Sequence, residues 1–349
     1  MSQSRRTIEQ LLQQGQLPLS NAEAAATHLQ VYPSASTWRS FFDKAALIIG
    51  VIALSLALVF FVAYNWQDLG KMGKFALVEG ALAMTIALYV ALSFRKRYTL
   101  IRQLLLLIAS IITGSLLALF GQVYQTGADT WQLFAAWAVL IIPWVLIARF
   151  PALWLLWLGL INALTLLYID TSLFASLDYY YQDFWRFTLI AVVNFAALSL
   201  WLFCFENTRL KHQNTSLHWS TYTVALLSAY NVSSLTISTV FGNNSLLLLF
   251  IAASLWLSWC GFIYWRFKRQ QFDLLMLTYL SGSIIAVVMC WAIELKPSSM
   301  DASGFLILAV LLISMSSYAV TWLRKVARAN YQSNENNTSY TAVKGGDHE

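Results

Sequence analysis

Residues 45–64 read AALIIGVIALSLALVFFVAY, twenty positions without a charge. At 1.5 Å of rise per helical residue, such a run matches the ~30 Å hydrocarbon core of a bilayer. Nine more runs of this kind follow, at 75–94, 103–120, 132–148, 152–169, 187–205, 219–241, 245–265, 274–293 and 304–323. Together the ten runs contain one charged residue, Glu79. Lipid cannot satisfy exposed backbone hydrogen-bonding groups, so runs of this length must be helices. The chain therefore reads as an all-α protein, a polytopic transmembrane helical bundle of about ten spans.

Composition excludes a water-soluble globule. Hydrophobic residues make up 59% of the 349 positions and charged residues 11%, against ~45–50% and ~25% in soluble domains. The formal charge of +6 points to membrane topology rather than to nucleic acid. With the N-terminus inside, cytoplasmic segments carry 18 of the 22 basic residues; the opposite side receives Lys71, Lys74, Arg186 and Lys296. That asymmetry follows the positive-inside rule and needs an even number of spans with both termini cytoplasmic. A polar stretch of 44 residues precedes the first run, so that run is expected to direct insertion itself, without a cleaved leader. Cys204, Cys260 and Cys290 all lie inside runs and read as packing residues.

Residues 1–44 read as a short cytoplasmic helical hairpin. Ile8, Leu11 and Leu12 have helical spacing, Gly15 can close that helix, and Ser20-Asn21-Ala22-Glu23 has the form of a capping box. Residues 45–323 form the transmembrane domain. The tail, 324–349, turns rich in Asn, Ser, Thr and Gly beyond Asn330 and is expected to be disordered.

Candidate chemistry gathers in the outward connections. Asn65 and Trp66 follow the first run, and the third is followed by Gly121-Gln122-Val123-Tyr124-Gln125-Thr126-Gly127-Ala128-Asp129-Thr130-Trp131, polar and without a basic residue. Gln122, Gln125, Thr126 and Asp129 could donate and accept hydrogen bonds, with Tyr124 and Trp131 as stacking faces. The block is either a segment folded back to line a cavity or an interfacial loop whose rings belong to the headgroup belt. Glu79 is a carboxylate inside a span, a residue type that marks ion or proton handling unless it reaches the interface. The seventh run is the most polar, with Ser228, Asn231, Ser233, Ser234, Thr236, Ser238 and Thr239; close helix packing explains it as well as a cavity does. His28, His212, His218 and His348 all lie outside the runs, and no motif for zinc, nucleotide phosphate or a serine nucleophile is present. No metal, no cofactor and no nucleic-acid partner are expected.

Ile8-Glu9-Gln10-Leu11 with Gly15, the Asn65-Trp66 pair and above all the block 121–129, followed by Trp131, Leu133-Phe134, Trp137 and Trp144, resemble a family of bacterial membrane proteins known as domain of unknown function 2157. The resemblance covers about the first 150 residues. It implies a multi-pass protein of the inner membrane with no established activity. The leading expectation is a transporter or a lipid- or amphiphile-handling protein, its site near the outer face at Asn65, Trp66, Glu79, Gln122, Tyr124, Gln125, Thr126, Asp129 and Trp131. Membrane lipids and a small amphiphile would be its partners. The alternative is a non-catalytic scaffold or envelope-stress sensor that works through a membrane protein partner. An enzyme acting on lipid-linked substrates ranks third, since few basic residues are available outside to hold a phosphate.

Overall fold

The computed structural model describes residues 8, 11–12, 16–29, 31–32, 34–64, 69–95, 98–171, 176, 178–206, 217–241, 246–295 and 302–345. Among them are eleven α-helices and no strand. They are α1 (Ala22–His28), α2 (Ala35–Tyr64), α3 (Lys71–Ser93), α4 (Thr99–Tyr124), α5 (Thr130–Ala148), α6 (Pro151–Thr171), α7 (Tyr179–Trp201), α8 (Trp219–Phe241), α9 (Leu246–Tyr264), α10 (Leu274–Glu294) and α11 (Ala302–Gly345). Among the described residues, nine of these, α3 to α11, are long and apolar enough to cross a membrane. The 30-residue α2 carries the opening run. The protein is a polytopic helical bundle.

Local chemistry explains most boundaries. Helix α2 begins ten residues before its apolar run, because the Ser34 hydroxyl accepts from Thr37 N–H at 3.3 Å and caps the first turn. That early turn places Trp38, Phe41 and Phe42 in mutual ring contact on an exposed surface. The expected capping box at Ser20 does not form. Leu19–Asn21 is a 3-10 turn, and Asn21, at the N-cap of α1, makes no side-chain cap bond. Ile8, Leu11 and Leu12 are helical as their spacing predicts, whereas Gly15 lies outside the described residues. Helices α5 and α6 form a tight hairpin: Arg149 takes the left-handed conformation (φ 45°) and Pro151 opens α6, where its missing N–H costs nothing. Helix α11 runs on to Gly345, through most of the tail that composition marks as disordered. Extending a helix that is already nucleated needs little from each added residue.

The region read as one transmembrane domain divides into two compact units, 1–124 and 125–349. In the first, α2 and α3 pack on α4, and Val78 of α3 is buried with Ile108, Ile112 and Leu119 of α4. In the second, α8 is the hub, packed by α7, α9 and α10 and more lightly by α6. Val224, Ala225, Val232 and Leu235 of α8 meet Ala191 and Leu198 of α7, Trp259 of α9 and Leu277 of α10 in one continuous core. Helix α11 lies on the rim against α10, with Trp322, Leu323 and Val326 partly buried against the core of the unit.

Candidate functional site

The block after the third span is a short exposed connection. Residues 121–124 form the last turn of α4, Gln125 turns left-handed (φ 46°), Gly127 does so again (φ 64°), and α5 starts at Thr130. The second turn uses the freedom that only glycine has there. Gln122, Tyr124, Gln125, Thr126 and Asp129 are all exposed. Within 125–349, Asp129 Oδ2 accepts from Trp131 Nε1 at 3.3 Å, and the Trp131 ring meets the edge of Tyr168, centroids 5.1 Å apart. Within 1–124, Tyr124 lies against Phe75 (5.8 Å) and Phe120 (4.8 Å). These ring contacts hold each end of the connection within its own unit. Asn65 and Trp66 lie outside the described residues.

Glu79 sits eight residues into α3, ~12 Å along its axis from Lys71. The helix starts one turn before its apolar run, through Lys71 and Lys74. Glu79 is exposed on the helix surface, one turn past Phe75 and hence past the Tyr124 ring. Of the nine candidate residues, the structure joins Asp129 to Trp131 by a hydrogen bond.

The polar character of α8 is spent on packing. Ser228 accepts from Trp259 Nε1 at 3.1 Å with both side chains fully buried. Ser233 and Ser283 share a hydrogen bond at 2.6 Å, and Trp256 Nε1 donates to Ser283 Oγ at 3.0 Å. At the start of the helix the Tyr222 hydroxyl donates to Asp273 Oδ2 at 2.7 Å, while Asp273 Oδ1 caps α10 by accepting from Met276 N–H at 3.0 Å. Asn162 of α6 and Asn194 of α7 exchange amide bonds at 2.6 and 3.3 Å. Near them Trp157 Nε1 donates to the Ala138 carbonyl at 3.1 Å. That carbonyl belongs to the turn in which Pro143 leaves Val139 without its usual helical donor. Arg186 of α7 is bonded to Asp170 at the end of α6, with Asp183 3.7 Å away. Among the described residues, no three His, Cys, Asp or Glu side chains gather as metal ligands would.

A cavity opens elsewhere. Leu280 and Ile284 of α10 face Met315 and Ala319 of α11 across about 480 Å³, and Tyr264 and Trp322 line the same space. The two rings are nearly parallel, 6.5 Å between centroids. Ser281 and Ser314 also line it, but their hydroxyls donate to the Leu277 and Val310 carbonyls of their own helices. The groove thus offers carbon and aromatic surface, within the ~300–1,000 Å³ usual for small-molecule sites. Its walls come from three successive helices, α9 to α11, and no local sequence pattern marks a space between them. Aromatic residues near the ends of two spans were the available signal.

Fold and site together define a multi-pass membrane protein. Residues 9–154 match the family described as predicted membrane protein (DUF2157), so the resemblance drawn from the sequence holds over that stretch, from ahead of α1 to the start of α6. No curated protein and no solved structure matches the chain.

Proposed function

We propose that this is a lipid- or amphiphile-handling protein of the bacterial inner membrane, with both termini cytoplasmic. The groove between α10 and α11 carries the proposal. Ligand pockets of membrane proteins need polar groups only where the ligand is polar, and both serine hydroxyls of this groove are already bonded within their own helices. It therefore suits a hydrocarbon chain. A transport form of the activity would also need polar contacts at the outer face, for which the candidates remain Asn65, Trp66, Glu79, Gln122, Tyr124, Gln125, Thr126, Asp129 and Trp131. The distribution of 18 of 22 basic residues supports the orientation. The exposed Trp38, Phe41 and Phe42 cluster favours a second reading, a scaffold that docks a membrane protein partner through the start of α2.

The test is photolabelling with a phospholipid carrying a diazirine on its acyl chain. Adducts concentrated in residues 280–285 and 314–322 are expected. Adducts spread evenly over the exposed apolar residues, Leu246, Leu247 and Phe250 included, would show no site and reject the reading.

A further inference from the structure

The groove does not end in hydrocarbon. Helix α9 continues past Tyr264 as a π-helical turn, Trp265–Gln270. Lys268 on that turn bonds the Tyr264 hydroxyl, and its Nζ lies 4.5 Å from the Tyr264 ring centroid and 6.0 Å from that of Trp322. An ammonium is thereby held over the two rings that line one end of the groove, by hydrogen bonding and cation–π attraction.

The same end continues along α11. Met315, Tyr318, Ala319 and Trp322 line the groove at the three- and four-residue intervals of one helix face. The next turn of α11 forms a second, shallow depression between Thr321, Arg324, Lys325, Arg328 and Ala329. Arg324, Lys325 and Arg328 are exposed. The ion pairs found among the described residues belong to Arg186, at the other end of the helices. Lys325, three residues past Trp322, continues the groove face of α11, so the apolar slot ends at two cations, Lys268 and Lys325, with Arg324 and Arg328 farther round the helix.

We infer that the α10–α11 groove is a binding site for an anionic phospholipid, with an acyl chain between Leu280, Ile284, Met315 and Ala319 and the phosphate at Lys268 and Lys325. The inference rests on the amphiphile-handling reading and adds the headgroup class. Charge complementarity selects the occupant: basic residues beside a membrane span attract anionic headgroups, and phosphate forms charge-assisted hydrogen bonds with ammonium groups. A soluble phosphate compound would use the rim and leave the apolar slot empty. A zwitterionic phospholipid would bring a phosphate to the same place, but its own ammonium cancels that charge and is repelled by the lysines. Only an anionic lipid fills the slot and brings net negative charge to the rim.

The experiment is native mass spectrometry of the full chain released from nanodiscs of equimolar phosphatidylglycerol and phosphatidylethanolamine. Wild type should retain phosphatidylglycerol preferentially. Lys268→Gln and Lys325→Gln should each reduce that preference, roughly 5-fold per cation removed, with total bound lipid little changed. Lys268→Arg, which keeps the charge, should preserve the preference and shows that a loss in Lys268→Gln is not misfolding. Retention of both lipids in equal amounts by wild type overturns the headgroup assignment and leaves the amphiphile reading standing. No lipid retained by wild type fails both. Displacement of bound phosphatidylglycerol by inorganic phosphate at comparable concentration would identify a soluble-phosphate site and also overturn the inference.

Discussion

The Asn162–Asn194 pair offers a sharp energetic test of how the larger unit is held together. Asn194 is fully buried on α7; its Nδ2 donates to Asn162 Oδ1 at 2.6 Å and to the Ile190 carbonyl at 2.9 Å. Asn162 Nδ2 returns a longer bond to Asn194 Oδ1 at 3.3 Å and reaches the Leu158 carbonyl at 2.9 Å. Interhelical hydrogen bonds in membranes average about 0.6 kcal/mol and reach about 1.7. One short and one long bond should therefore couple the pair by ~1 kcal/mol. Asn194→Leu alone also strands Asn162 Oδ1 among apolar neighbours, a penalty of about 1–3 kcal/mol. The double variant Asn162→Leu/Asn194→Leu removes both amides and should cost less than the sum of the singles. The assay is reversible unfolding in bicelles for wild type, both singles and the double. A coupling near 1 kcal/mol, about a 5-fold change in the folding equilibrium, is expected. Additivity within ~0.3 kcal/mol would show that the two side chains share no bond and would refute the helix pairing deduced from it.

Other consequences follow from the same framework. If the positive-inside distribution sets the topology, a membrane-impermeant maleimide added outside should label Thr126→Cys and leave Gln270→Cys unlabelled; the reverse pattern rejects the proposed orientation. Trp157→Phe removes the donor to the Ala138 carbonyl while keeping the ring bulk, and should lower stability by about 0.5–1.5 kcal/mol in the same unfolding assay; an unchanged midpoint would mean the bond contributes nothing. Glu79→Gln with Asp129→Asn should weaken amphiphile uptake if these residues supply polar contacts at the outer face. Uptake equal to wild type removes those residues from the proposal.

The spans were legible in the sequence because a charge-free run of twenty residues in a chain with few charges has one stable solution. Even the tight α5–α6 hairpin shows in Pro151 and in the apolar run behind it. The inner arrangement was not legible. The most polar span, α8, became the hub, because in lipid hydroxyls and amides draw helices together instead of facing solvent. Ser228 with Trp259, and Ser233 with Ser283, show that logic only once partners from other helices are placed. The start of α2 depended on a single cap at Ser34, outside any apolar pattern. The groove was hidden for the same reason as the hub: Tyr264, Leu280 and Trp322 each read as an ordinary span residue until the helices carrying them meet. Lys268 looked like one more basic residue of a cytoplasmic loop, and only the π-helical turn sets it over two rings.

The most direct measurement compares wild type with Ala319→Trp after extraction in a mild detergent, counting bound small molecules by native mass spectrometry. Ala319 lines the groove on the lightly packed α11, so the larger ring should fill the cavity without breaking the bundle. Wild type should carry one stoichiometric lipid or other amphiphile, and Ala319→Trp should lose it at unchanged helical content. Equal occupancy in both proteins, or none in wild type, would contradict the central claim.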